Sequence, residues 1–189
     1  MSPLTNNTQH KLYPLLVVVM GVSGTGKSTL ANEIANRSGF TFLDADSLHS
    51  PDAIDQMSQG IPLTDTQRAP WIHRIYKQLR EYESENKCCV LAYSGLKHQH
   101  RQSVFSAYAN TMGILLDANP ALIAQRMQAR GEHFMPPELL SSQIAEMEPF
   151  TDDNALVRLD AAESVEQLLL QSLTFIDENN HKKANKHST

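Results

Sequence analysis

The sequence predicts an α/β fold in which a parallel sheet is covered by helices on both faces. Short apolar runs alternate with amphipathic stretches through nearly the whole chain, and several runs are apolar at every position, as strands buried on both faces are. Directly behind the first run stands GVSGTGKS, residues 21–28, a glycine-rich loop of the kind that joins a buried strand to a helix. Such alternation implies right-handed crossovers, with ligands gathered at the carboxyl ends of the strands.

Strands are expected at Leu15 to Met20, Thr41 to Leu43, Cys88 to Ala92, Gly113 to Leu116 and Leu156 to Leu159, where the residues are mostly apolar over a strand's length. Helical periodicity fills the gaps at Ser28 to Arg37, Ala69 to Glu85, Lys97 to Tyr108, Pro120 to Arg130, Pro137 to Met147 and Ser164 to Ile176. Pro120 and Pro137 both stand where a first helical turn tolerates proline. The polar, aperiodic ends, residues 1–14 and 178–189, are expected to be disordered tails on a single domain of residues 15–177. His10, His181 and His187 fall in those tails and are read as solvated.

The 189 residues, 41% hydrophobic and 20% charged, provide for one domain with a two- or three-layer core. A formal charge of -5 offers no electrostatic case for wrapping nucleic acid, which is bound by clustered Lys and Arg. Cys88 and Cys89 are neighbours in an apolar run, so on a strand they point to opposite faces and are read as packing residues. The longest apolar run, Leu12 to Met20 with Pro14 inside it, is too short for a membrane span and lacks a signal-peptide cleavage pattern. A cytoplasmic protein with no membrane or nucleic-acid partner is therefore expected.

GVSGTGKS fits the phosphate-binding pattern G-x-x-x-x-G-K-[ST], with a strand before it and a helix after it. Its glycines allow successive backbone N–H groups to point at phosphate oxygens, and the helix behind adds its positive end. Gly21, Val22, Ser23, Gly24, Thr25, Gly26, Lys27, Ser28 and Thr29 are the candidate contacts for ATP. Lys27 is suited to bridging the β- and γ-phosphates and the Ser28 hydroxyl to ligating Mg²⁺.

Such sites usually carry an acid at the end of another strand. CCVLAYS ends at Ser94 without one, and the carboxylates appear instead in FLDAD, at Asp44 and Asp46. If the chain stays extended there, both point to one side, with Asp44 toward the metal and Asp46 toward the acceptor. The alternative is that Asp46 caps the following turn.

From about residue 15 to 176 the chain resembles the gluconokinase family, small P-loop kinases that phosphorylate D-gluconate with ATP. Beyond the phosphate loop, the resemblance rests on FLDADSLH, HSPDAIDQMSQGIPLTDTQRAPW, SGLKHQHR and ARGEHFMPPELLSSQIAEMEP. It implies a five-stranded parallel sheet of the nucleoside-monophosphate-kinase type, a substrate region at about 47–85, a lid at about 126–136 and a homodimer. It also implies an acceptor-side acid at Asp46, basic residues around the sugar acid at Arg68, Lys97 and Arg101, and lid arginines at Arg126 and Arg130. His49 and His133 match family histidines on the substrate side. Taken singly, each of the three basic residues is as ordinary as a surface salt-bridge partner. Trp71, the only tryptophan, is expected to pack the substrate-region helix onto the core.

Departures from the usual family pattern cluster on the acceptor side. Ala53 stands for Asn, Gln56 for Lys, Gln67 for an acid, Gly95 for Ala, His100 for Tyr, and Gly131-Glu132 for Lys-Gly. Loss of a cation at Gln56 and an anion at Gln67 is either a compensated pair or the mark of a different acceptor or a weaker enzyme. The readings left by the sequence are a gluconate kinase, a kinase of another small hydroxylated acid, and a nucleotide-binding regulatory protein without catalysis.

Overall fold

The computed structural model describes residues 14–129, 137–150 and 155–186. Strand β1 (Leu15–Met20) occupies the centre of a five-stranded sheet, with β3 (Cys89–Tyr93) on one side and β4 (Asn110–Asp117) on the other. β2 (Thr41–Asp44) and β5 (Leu156–Asp160) form the edges, giving the order β2-β3-β1-β4-β5 with every pairing parallel. β1 is buried at every residue, which explains its unbroken apolar run LLVVVM.

Alternate side chains of β1 feed two cores. Leu15, Val17 and Val19 pack with α1 (Lys27–Ser38) and α7 (Val165–Lys186), whereas Leu16, Val18 and Met20 pack with α3 (Asp65–Ser84) and α4 (His98–Phe105). The two cysteines divide the same way: Cys89 is buried in the second core and Cys88 packs against the first. Burial pushes the Cys89 thiol up to about 12, consistent with packing residues and not reactive thiols.

Hydrophobic periodicity does not reveal all of the region between β2 and β3. A 3-10 turn at Ala45–Leu48 and helix α2 (Pro51–Ser58) occupy it, and α3 begins at Asp65 instead of Ala69. The cues are capping residues. Ser50 accepts from the Ala53 amide with Pro51 in the first turn, and Thr64 and Gln67 form a reciprocal capping box. Downstream, α5 (Pro120–Ala129) and α6 (Pro137–Glu146) start at the two prolines expected to start them. α7 continues to Lys186, through most of the stretch expected to be a C-terminal tail. The expected N-terminal tail lies, except for Pro14, outside the described residues.

After β3 the chain turns at Gly95, whose φ of +67° lies in the left-handed region. A Cβ there would meet the Met20 sulfur at 2.9 Å and its Cγ at 3.0 Å, and Met20 is itself fully buried. The glycine that replaces the family's usual alanine thus makes room for Met20. Gly95→Ala is expected to cost about 1–3 kcal/mol of stability, read as a lower midpoint in urea denaturation; an unchanged midpoint would refute the packing argument.

Candidate active site

The phosphate loop leaves the carboxyl end of β1 and closes on itself through Thr25, whose hydroxyl donates to the Val22 carbonyl at 2.9 Å. Gly26 is the N-cap of α1 at φ +97° and offers no side-chain cap. A Cβ built on Gly26 meets nothing within 4 Å, so the space before the helix start is open. First-turn amides without a side-chain cap, at the positive end of a helix and facing open space, suit a phosphate chain. Lys27 is 8% exposed and its side chain enters the adjoining cleft. Ser28 is half-buried and Thr29 exposed in the same first turn.

Across the cleft stands Asp46, but the chain does not stay extended to present it. It turns at Ala45, and Asp44 serves as the N-cap, its Oδ1 accepting from the Asp46 amide at 3.0 Å. The capping role weighed for Asp46 therefore belongs to Asp44, and only Asp46 lines the cleft with Lys27. α3 clamps this acidic turn from behind. Trp71 Nε1 donates to the Ala45 carbonyl and Arg74 Nε to the Leu48 carbonyl, both at 2.7 Å. Trp71 is 5% exposed and packs into the core, as expected, while its ring also forms part of the cleft wall.

His49 lies flat on Trp71, with ring centroids 4.2 Å apart, and its Nε2 is 4.0 Å from Asp46 Oδ1. Its Nδ1 is buried without a hydrogen-bond partner among the described residues. Burial lowers the His49 pKa, opposed by the Asp46 carboxylate and helped by the Arg74 and Arg68 cations. The ring is therefore neutral at pH 7, with one nitrogen able to donate and the other to accept.

The basic residues divide. Arg68, its side chain 12% exposed, lines the cleft and pairs with Glu146 of α6 at 2.5 Å and with Asp65 at 3.7 Å. Lys97 stands outside the cleft lining and is held by Asp65 at 2.6 and 2.7 Å; that hydrogen bond is the main reason the Asp65 carboxyl lies below its usual range. Arg101 does not join the site. It is 6% exposed, donates to the carbonyls of Gly95, Leu96 and Pro149, and lies 4.1 Å from the Phe150 ring centre, so it braces the loop after β3. Arg126, at the end of α5, donates to the Thr25 carbonyl at 3.3 Å and so reaches the phosphate loop. Arg130, His133 and most of the expected lid lie outside the described residues.

Sequence reasoning missed the contribution of α6. Leu139, Gln143 and Glu146 follow i, i+4, i+7 spacing and share one face of the helix. Leu139 packs with Met57 and Leu63 on the acceptor side, Gln143 hydrogen-bonds Ser23 of the phosphate loop, and Glu146 pairs with Arg68. The spacing was visible in the LLSSQIAE stretch, but not which neighbours that face would meet.

The family model described as an AAA domain matches residues 16–150. The gluconokinase of Gluconobacter oxydans is 40% identical over 154 residues, covering 82% of this chain and 86% of that protein. The chain belongs to the gluconokinase family. Among solved structures, a gluconokinase from Sinorhizobium meliloti superposes with a TM-score of 0.82 at 31% identity, covering 92% of this chain and 98% of that one. A sugar kinase from Janibacter superposes with a TM-score of 0.83 at 36% identity, covering 87% and 95%. As a P-loop kinase of the gluconokinase family, the protein binds ATP. No helix among the described residues is long and apolar enough to cross a membrane.

Against the gluconokinase pattern, the edited positions on the acceptor side take on a different meaning. Gln56 and Gln67 hydrogen-bond each other, Gln67 Nε2 to Gln56 Oε1 at 2.8 Å and the reverse at 3.3 Å. A neutral amide pair thus joins α2 to α3 where the family pattern places a cation and an anion. Ala53 packs toward Met57 and Leu63, and His100 faces an outer groove between α3 and α4 beside His73 and Tyr76. Ala53, Gln56, Gln67, Gly95 and His100 all stand outside the cleft lining. The Gly131-Glu132 substitution lies outside the described residues.

The lowered His49 pKa carries a sign for stability. Below the ordinary histidine value the unfolded chain binds the proton that folded His49 resists, so stability falls as pH drops through about 6.5. His100, also lowered by burial, acts in the same direction. The wild type is therefore expected to lose more melting temperature than His49→Gln when pH falls from about 7.5 to about 5.5. Equal losses in calorimetry would show that His49 contributes nothing to acid sensitivity.

Proposed function

We propose that the protein transfers the γ-phosphoryl group of ATP to the C6 hydroxyl of D-gluconate, forming 6-phospho-D-gluconate. One observation carries this reading: a single cleft brings together Lys27 of the phosphate loop, the carboxylate of Asp46 and the guanidinium of Arg68. A donor, a hydroxyl-orienting acid and a cation for an anionic acceptor are what such a transfer needs. The named gluconokinase relatives support gluconate as that acceptor. The position of Ala53, Gln56, Gln67, Gly95 and His100 outside the cleft lining supports an unchanged acceptor site.

Phosphoryl transfer passes through a loose transition state, so catalysis consists mostly of alignment, charge neutralisation and exclusion of water. Lys27 holds the terminal phosphates, and Arg126 reaches the loop at the Thr25 carbonyl, with Arg130 the second expected lid arginine. Asp46 accepts a hydrogen bond from the acceptor hydroxyl, orients its oxygen toward the γ-phosphorus and takes the proton late. His49 Nδ1 offers a buried hydrogen-bonding site to a second hydroxyl of the polyol. His133 is a further candidate for substrate contact.

Of the two oxygen donors expected for Mg²⁺, the Ser28 hydroxyl stands in the first turn of α1 and would hold an ion carried in with the nucleotide, whereas Asp44 is committed to capping the Ala45–Leu48 turn and stands outside the cleft lining. Such an ion would supply neutralisation of the phosphate charge. Arg68 must exchange partners, because Glu146 holds it in this structure and the acceptor carboxylate competes for the same guanidinium. Lys97 acts at one remove, drawing Asp65 toward itself. Arg101 serves the scaffold. Family membership also supports a cytoplasmic homodimer.

A coupled assay for ADP over a panel of sugar acids and shikimate is expected to show gluconate as the best acceptor; turnover only with another acid would replace the named substrate, and ATP binding with no transfer to any acceptor would favour a regulatory protein. Asp46→Asn is expected to lower kcat by roughly 10²–10⁴-fold while leaving ATP affinity unchanged. Arg68→Ala is expected to raise the KM for gluconate by roughly tenfold or more, with the KM for ATP unaltered; an unaltered gluconate KM would remove Arg68 from acceptor binding.

A further inference from the structure

Helix α6 belongs to neither of the two motifs that hold phosphate and acceptor acid, yet it touches both halves of the cleft. Its central polar contact is specific in direction. Gln143 Oε1 accepts from the backbone amide of Ser23 at 2.8 Å, and Gln143 Nε2 lies 3.3 Å from the Ser23 hydroxyl. The amide donor leaves only one orientation for the glutamine head, because a backbone N–H must meet the oxygen. Ser23 is 5% exposed, so the contact is shielded from water.

The loop residues that line the cleft beside Asp46 are Ser23 and Lys27. A phosphoryl group on its way to an acceptor at Asp46 must leave the loop on that side. Ser23 therefore stands at the edge of the loop nearest the transferring group, and Gln143 accepts from its amide and donates to its hydroxyl oxygen.

We propose that Gln143 is a positioning residue for phosphoryl transfer: through its paired hydrogen bonds to Ser23 it holds the phosphate loop's acceptor-side edge in the orientation that receives the terminal phosphate of ATP. It also transmits the docking of α6 to that edge. Leu139 and Glu146 on the same helix face touch the acceptor-side cluster and Arg68, so α6 links that half of the cleft to Ser23. The inference rests on ATP binding by the loop and is independent of which acid is the acceptor.

Gln143→Glu tests it, because a carboxylate of the same length still accepts the Ser23 amide but places a negative charge beside the terminal phosphate. Affinities for ADP and for a non-hydrolysable ATP analogue are measured by calorimetry on the full chain. The expected result is that ADP affinity stays within about twofold while affinity for the triphosphate falls roughly tenfold or more. An unchanged ratio of the two affinities would make Gln143 an anchor of α6 and overturn the proposal.

If Gln143→Glu does not fold, Gln143→Leu carries the test: kcat is expected to fall about tenfold or more with the acceptor KM within about twofold. Equal loss in both constants, or in neither, would count against the proposal. Failure of the wild type to bind the triphosphate would instead refute the kinase reading itself, and the inference with it.

Discussion

The structure depends on how β1 is held. A strand buried on both faces, paired in parallel on both edges, cannot shift without breaking two hydrogen-bond ladders and two cores. Its carboxyl end therefore delivers the glycine-rich loop to one place, and the loop delivers the start of α1. Because Gly26 caps that helix with backbone alone, the first-turn amides face open space and not a side chain. Phosphate affinity follows from this geometry before any charged side chain is counted, and Lys27 adds to it.

The acceptor half is built differently, from side chains that grip backbone. Trp71 and Arg74 donate to the two carbonyls that bracket the Ala45–Leu48 turn, and Asp44 caps the turn from its own start. Three hydrogen bonds thus set the direction of one carboxylate, Asp46. The same packing buries His49 against Trp71 and keeps it neutral, which spares the site a second cation beside Arg68. Charge is balanced further by Asp65, paired with Arg68 and Lys97, and by Glu146, paired with Arg68. Neither Arg68 nor Lys97 is left in this way as an unpaired cation.

Among the described residues, the edited positions make contacts of their own outside the cleft lining. Gln56 and Gln67 exchange a charged pair for an amide pair at one contact, so the α2 to α3 junction keeps two hydrogen bonds. Gly95 adjusts the turn after β3 to the bulk of Met20. In a column-by-column reading these look like alterations of the substrate side. In space Gln56 and Gln67 bond each other and Gly95 packs on Met20.

Local chemistry in the chain was enough for the parallel α/β sheet, the phosphate loop and its lysine, the packing roles of both cysteines and Trp71, and the family. Buried strands must be apolar, a phosphate nest must have glycines, and a helix start tolerates proline, so each of these leaves a mark within a few residues. The 3-10 turn and α2 left fainter marks, capping residues at Ser50 and Thr64 that outweighed a weak periodicity. What folding alone settled was partnership. Asp44 became the cap and Asp46 the cleft acid because the chain turns between them; Arg101 became a brace and Arg68 a cleft cation because three carbonyls surround one and the cleft receives the other. Gln143 met Ser23 across 120 residues of chain. Residue type fixes what a side chain can do, but its partner depends on which distant segments the sheet order brings beside it, and that order is not written near any one residue.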